Sequence, residues 1–305
     1  MMTIGITGGT GFIGRHLTAL LVSKGYEVVV FTRSRKKPLI KVSYAHWNPG
    51  KGSCDIAALG KIDAMVNLAG AGIADKTWTA KRKQEITESR VNATAFLVSQ
   101  LKAHAPNCKT FISASAIGFY GPDKAWNIPF TEDAQPANDF LGDTCRLWEE
   151  TAQEATAFAR TVILRFGIVL GKESGALPKF LQPISFGIKP IPGNGAQMVS
   201  WIAVRDLARL IFFAIDQEQV SGIYNAVSPN PVSMHRLMEV IALVKGGTKI
   251  PVHIPSVLLK MVLGEMSGEI LKSCTASAEK TLSTGFTFNY PGIDEAVKAI
   301  LARNK

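Results

Sequence analysis

Residues 113–121 read SASAIGFYG, two serines and a tyrosine directly after the apolar Thr110, Phe111 and Ile112. Hydroxyls so placed can exchange a proton with a bound alcohol or carbonyl, provided a neighbour brings their acidity toward neutral pH. A phenol left at about 10, or a carboxylate left at about 4, makes a poor acid or base there. Ser115 and Tyr120 are candidates for such chemistry, and Asp143 is a candidate carboxylate. The alternative is that these hydroxyls are only the polar end of a buried strand, with Tyr120 a packing residue and Asp143 a solvated charge.

A second stretch, GGTGFIG at 8–14, suits phosphate rather than protons. Gly9, Gly11 and Gly14 fit G-x-G-x-x-G, and Gly8, Gly11 and Gly14 fit G-x-x-G-x-x-G. The β-branched TIGIT precedes it, and a segment with Leu17, Leu20 and Leu21 follows and stops at Gly25. Strand, glycine turn and helix are the context in which a pyrophosphate approaches bare backbone at a helix amino terminus. Gly8, Thr10, Gly11, Phe12 and Ile13 are the expected contacts.

The next strand, EVVVFT at 27–32, ends where a carboxylate would bind the ribose diol of NAD. No Asp or Glu occurs between Glu27 and Asp55; the strand runs instead into Thr32, Arg33, Ser34 and Arg35. A guanidinium beside hydroxyls suits a 2′-phosphate. NADP(H) is the expected cofactor, held by Thr32 and Arg33. A third strand, IDAMVNLAG at 62–70, ends in small residues that let a cofactor lie close to Leu68 and Ala69.

The segment 81–101 has helical spacing at Ile86, Leu97 and Leu101; 110–115 and 161–171 read as two more strands separated by a helix. Strands alternating with helices predict an α/β fold with a Rossmann-type doubly wound parallel sheet. Residues 1–171 are read as the nucleotide-binding domain, with later segments returning to it. Residues 172–305, rich in Gly and Pro loops, are read as a smaller mixed substrate-side region with helices at 205–215 and 233–245. A final unit begins near 246, in which Leu258, Leu259, Met261 and Val262 have the spacing of packed core.

The 305 residues are 47% hydrophobic and carry a net charge of +10, which favours anionic partners without naming one. The basic runs RSRKK and KRK lack interleaved aromatics, so a nucleic-acid partner is not expected. No run approaches the roughly 20 apolar residues of a membrane span, and no secretory leader pattern opens the chain. The expectation is a cytoplasmic protein with no membrane partner. Four scattered cysteines without C-x-x-C argue against disulfides and a metal site.

TGGTGFIG, NLAG, SASAIGFYG, LRFGIVLG and SWIAVRDLA together resemble the extended branch of the short-chain dehydrogenase/reductase superfamily, the NAD(P)-dependent epimerases. More narrowly, WTAKRKQEITESRV, GNGAQMVSWI, GEMSGE and TGFTFNYP resemble the YfcH-like group of epimerase family proteins, whose substrate is not assigned. The resemblance implies a small, nucleotide-linked substrate; it leaves the oligomeric state open. It implies cofactor roles for Glu85 and Arg90, with surface exposure as the alternative, and places the Ile168 backbone at the nicotinamide end. Members use a Ser with a Tyr-x-x-x-Lys pair. Ser115 matches the serine, whereas Phe140 and Thr144 stand at the other two positions. Two functions follow: an NADP-dependent oxidoreductase or epimerase with altered proton transfer, or a catalytically silent NADP(H)-binding sensor.

Overall fold

Short β-branched runs build the centre of the molecule. The computed structural model describes residues 2–34, 36–124 and 128–302; Arg35 lies outside the described residues. An eight-stranded sheet runs, edge to edge, Gly222–Ala226, Arg160–Phe166, Thr110–Ala116, Ala64–Asn67, Thr3–Thr7, Glu27–Thr32, Val42–Asn48 and Ser53–Cys54. Every pairing is parallel except the last. The sheet is Rossmann-like, and the strand order reverses at Thr3–Thr7, which has Glu27–Thr32 on one side and Ala64–Asn67 on the other. A crevice at the carboxyl ends of the strands is the consequence.

Both faces of the sheet are covered. Ile4, Ile6, Val28 and Val30 pack with Leu17, Leu21, Leu207 and Ile211 of helices Phe12–Ser23 and Val204–Asp216. Met65 and Phe111 face Leu97 and Leu101 of Val91–His104 on the other side.

Two segments differ from the sequence reading. Residues 81–101 form two helices, Ala80–Glu88 and Val91–His104, because tertiary contacts take the side chains between them. Ser89 Oγ accepts from the Ala71 N–H (3.0 Å), and Arg90 turns to the Ala71 carbonyl (3.0 Å). Residues 161–171 are likewise split at Gly167. A Cβ there would lie 2.7 Å from the Ser200 carbonyl, and Ile168–Leu170 departs to pair with Trp201–Ala203. Val42–Asn48 and Gly222–Ala226 are sheet strands that the sequence reading did not assign.

Beyond residue 171 the helices Val204–Asp216 and Met234–Lys245 match expectation closely. The core expectation for 258–262 is corrected: in helix Ser256–Leu263 only Leu259 is buried, while Leu258, Met261 and Val262 face solvent. Too little of the chain packs over this short helix to cover its other apolar side chains. Among the described residues, no helix is long and apolar enough to cross a membrane.

A buried carboxylate ties the carboxyl-terminal segment to helix Val204–Asp216. Asp206 is fully buried and accepts from the Asn289 N–H (3.0 Å), the Tyr290 N–H (2.8 Å) and Arg209 (2.8 Å). Replacing it leaves buried donors unpaired. Asp206→Ala is expected to lower the unfolding free energy by about 2 to 4 kcal/mol in urea, with hydrogen exchange at Asn289 and Tyr290 losing protection first. Unchanged protection at those amides would show that the tie carries no stability.

Candidate functional site

The glycine turn sits at the point where strand order reverses. Gly8 has φ +69°, and a Cβ there would lie 2.6 Å from the Leu68 carbonyl oxygen. At Gly14 a Cβ would come 2.5 Å from Gly8 O, so the helix can start this close to the strand only without a side chain. Helix Phe12–Ser23 opens at Gly11 with no capping side chain and no acid in its first turn. Its leading N–H groups are therefore free of a local anion. Thr10 and Gly11 are exposed at the mouth, while Phe12 and Ile13 are half-buried. Leu68 and Ala69 form the opposite lip, where Leu68 N–H donates to Thr7 O (3.1 Å). Beneath them Thr7 donates to Asn67 (2.7 Å) and Asn67 to Thr94 (2.9 Å), which also accepts from Trp148 (3.0 Å).

At the end of Glu27–Thr32 a cavity of about 350 Å³ is lined by Thr32, Arg33, Ser34, Lys36 and His46 among others, with no carboxylate on its wall. Arg33 is exposed at its rim. An anion entering here meets the cations Arg33 and Lys36 and the hydroxyls of Thr32, Ser34 and Tyr44.

Glu85 and Arg90 are not brought together. Glu85 is exposed and paired with Arg82 (2.6 Å), whose hydrogen bond holds its carboxyl below the ordinary range. Arg90 points inward. Its guanidinium donates to the Ile86 and Ala71 carbonyls (3.0 Å each) and lies over the Trp148 ring at 5.3 Å. Burial, with repulsion from Arg82, lowers its pKa; among the described residues no carboxylate is within ion-pair distance. Arg82, also buried, donates to the next carbonyl, that of Gly72, and its Nε has no partner. Two cations thus underpin the loop that forms the crevice lip.

Ser115 and Tyr120 belong to one closed network. Ser115 is 2% exposed and donates to Glu149 (2.6 Å); Glu149 receives two bonds of 2.8 Å from Arg165. Arg165 also donates to Tyr120 (2.8 Å) and the Glu132 carbonyl (3.0 Å), and Tyr120 donates to Asn225 (2.8 Å). The Tyr120 ring stacks on Phe130 at 4.9 Å. Burial pushes the Tyr120 phenol up to about 12. Neither hydroxyl is accessible from the crevice. Ile168 is half-buried, its N–H engaged by Ser200 O (2.9 Å).

Helix Phe140–Gln153 presents a different surface at the positions that the resemblance assigns to Tyr and Lys. Phe140 meets Trp78 edge-on at 5.1 Å, and the Lys83 ammonium lies 5.4 Å from its ring centre. Lys83 is ion-paired with Glu265. Thr144 Oγ1 is bonded to the Phe140 carbonyl (2.7 Å) and lies 3.2 Å from Thr87 Oγ1. Asp139 caps the helix by accepting from Gly142 N–H (2.8 Å). Asp143 stands on the solvent side, 3.9 Å from Arg146. Burial pushes the Cys145 thiol up to about 12, so it is not a nucleophile at neutral pH. Sequence reasoning missed Lys83, Glu149 and Arg165. An arginine inside the apolar run TVILRFGIVL was a signal for a buried partner; Lys83 was noted only as part of the basic run KRK.

The network predicts a graded response. Glu149→Gln strands the Arg165 charge and is expected to cost about 3 to 5 kcal/mol. Tyr120→Phe removes one hydroxyl and is expected to cost about 1 to 3 kcal/mol. Urea unfolding of both variants checks the order; a milder effect for Glu149→Gln would mean that Arg165 finds solvent.

Residues 4–226 match the NAD dependent epimerase/dehydratase family, and residues 254–300 match a domain of unknown function, DUF1731. The chain is 39% identical over 308 residues to the epimerase family protein YfhF of Bacillus subtilis, covering 100% of this chain and 99% of that one. It is 32% identical to the chloroplastic SDR39U1 homolog of Arabidopsis thaliana, over 98% of this chain and 87% of the relative. Human epimerase family protein SDR39U1, solved with NADPH, superposes with a TM-score of 0.87 at 27% identity, covering 98% of this chain and 99% of that structure. With a match that spans the whole sheet and relatives alike from end to end, the chain belongs to the NAD dependent epimerase/dehydratase family.

Proposed function

We propose that the chain binds NADP(H) across the crevice and acts as an oxidoreductase or epimerase on a small, nucleotide-linked substrate. The observation that carries the cofactor choice is the acid-free cavity with Arg33 and Lys36 at the end of Glu27–Thr32. Gly8, Thr10, Gly11, Phe12 and Ile13 hold the pyrophosphate; Thr32 and Arg33 take the 2′-phosphate. Leu68 and Ala69 form the facing lip, which Arg90 keeps in place from below; Glu85 acts only by orienting Arg82. Ile168 bounds the far end. Residues 1–171 supply this site, and residues 172–305, with their last unit from about 246, close the substrate side. Four unpaired cysteines fit a cytoplasmic setting. The human relative's NADPH supports the cofactor reading.

The bound cofactor supplies hydride exchange at a carbon atom; the chain must supply the accompanying proton. Ser115 and Tyr120 are held in the Arg165 network and serve the fold. Phe140 has no exchangeable proton, and Thr144 spends its own on a backbone carbonyl. Asp143, in the first turn of that helix, is the remaining candidate carboxylate. This arrangement favours a second reading, an NADP(H)-binding sensor without turnover.

Titration with NADPH and NADH is expected to show preference for NADPH, which Arg33→Ala reduces by roughly ten- to a hundredfold. Arg90→Ala is expected to weaken NADPH as well, through the loosened lip. Equal affinity of the wild type for both cofactors would refute the 2′-phosphate site.

A panel of sugar nucleotides followed by NADPH absorbance tests turnover. The wild type is expected to be slow, and Phe140→Tyr with Thr144→Lys to gain about 10²- to 10⁴-fold where a substrate reaches the cofactor. Fast wild-type turnover that Ser115→Ala leaves intact and Asp143→Asn abolishes would make Asp143 the acid/base and end the sensor reading.

A further inference from the structure

Nearly every residue from 243 to 262 is exposed. Strand Ile250–Ile254 pairs in parallel with Ile188–Pro192, and the registered pairs Ile188 with Ile250 and Pro190 with Val252 share one side of the ribbon. Ile191, on the other side, is fully buried and anchors the ribbon to the body. The outward side is therefore apolar, extended by Phe186 at 80% exposure and Ile250 at 66%. Helix Ser256–Leu263 follows at once, with Val257, Leu258, Met261 and Val262 spaced as one stripe; Met261 is 72% exposed.

The charge on this arm has one sign. No acid occurs between Glu173 and Asp206, nor between Glu239 and Glu265, whereas Lys189, Lys245, Lys249 and Lys260 fall within those windows. The bounding acids Glu239 and Glu265 are neutralised by Arg236 and Lys83. A projecting apolar surface flanked only by lysines complements a plane that is apolar within and anionic at its face. We propose that residues 186–192 and 243–263 form a peripheral docking surface for an anionic lipid bilayer. The apolar side chains enter the headgroup boundary, and the lysines meet the phosphates. The chain lies on the membrane and does not span it. Helix Ser256–Leu263 ends beside the substrate side of the crevice, where Gly264 adjoins Thr77 and Glu265 pairs with Lys83, and the proposal does not depend on the cofactor reading.

The test is co-sedimentation of the full chain with phosphatidylcholine vesicles and with vesicles in which roughly a third of the lipid is phosphatidylserine. Binding is expected on the anionic vesicles, roughly fivefold or more above the neutral ones, and weakening with salt. Phe186→Ser with Met261→Ser should abolish it. Lys245→Gln with Lys249→Gln and Lys260→Gln should flatten its salt dependence. Both sets change exposed side chains, and an unaltered urea midpoint and NADPH affinity would show that the fold and the crevice persist. Equal binding to both vesicle types, or none to either, overturns the proposal. So does sedimentation as a dimer that the Phe186 and Met261 changes dissolve while vesicle binding is absent, because the arm would then join two copies of this chain.

Discussion

A single guanidinium organises the middle of the molecule. Arg165 lies within Arg160–Phe166, the strand next to the sheet edge, yet it reaches Glu149 on a helix, Tyr120 in the turn after the neighbouring strand and the carbonyl of Glu132 in a loop. Tyr120 then passes the connection to Asn225 on the edge strand, whose own side chain holds the Phe130 and Ser277 carbonyls. The cost of burying the charge is offset only if every one of these acceptors stays in place. Ser115 is drawn in because Glu149 needs a further donor. The fate of the most reactive-looking stretch in the sequence is thus decided by a charge distant in the chain and carried on the adjacent strand, where Arg165 is registered with Ser115.

That explains what could and could not be read from sequence. The glycine turn, its strand and its helix were legible because their chemistry is local: each glycine answers to a backbone atom a few residues away or on the adjacent strand. The absence of acids after Glu27 was equally legible. Ser115 and Tyr120 were not, since their partners lie 34 and 105 residues off in sequence. The helix broken at Ser89 and Arg90 looked continuous because its apolar spacing carries no record of a loop that needs those two side chains. Leu258, Met261 and Val262 had the spacing of core, but spacing says which side of a helix is apolar and not whether anything covers it.

The crevice lip shows a related economy of parts. Arg82, in helix Ala80–Glu88, and Arg90, at the start of the next helix, end on carbonyls of the same short loop, Gly72 and Ala71. Arg82 is also paired with Glu85 and lies 3.9 Å from Asp75, whereas the hydrogen bonds of Arg90 go to backbone oxygens. Arg90, which has no carboxylate within ion-pair distance among the described residues, leaves a positive charge beneath the lip for an anionic ligand.

The ribbon of Ile188–Pro192 and Ile250–Ile254 has a bearing on how the protein behaves at high concentration. Two open strand edges beside an apolar surface would ordinarily invite further strands and fibrous growth. Pro190, Pro192 and Pro251 interrupt both edges by removing amide donors. The arm can therefore be adhesive through its side chains while its backbone offers a poor template, which separates reversible surface attachment from irreversible aggregation within one small element.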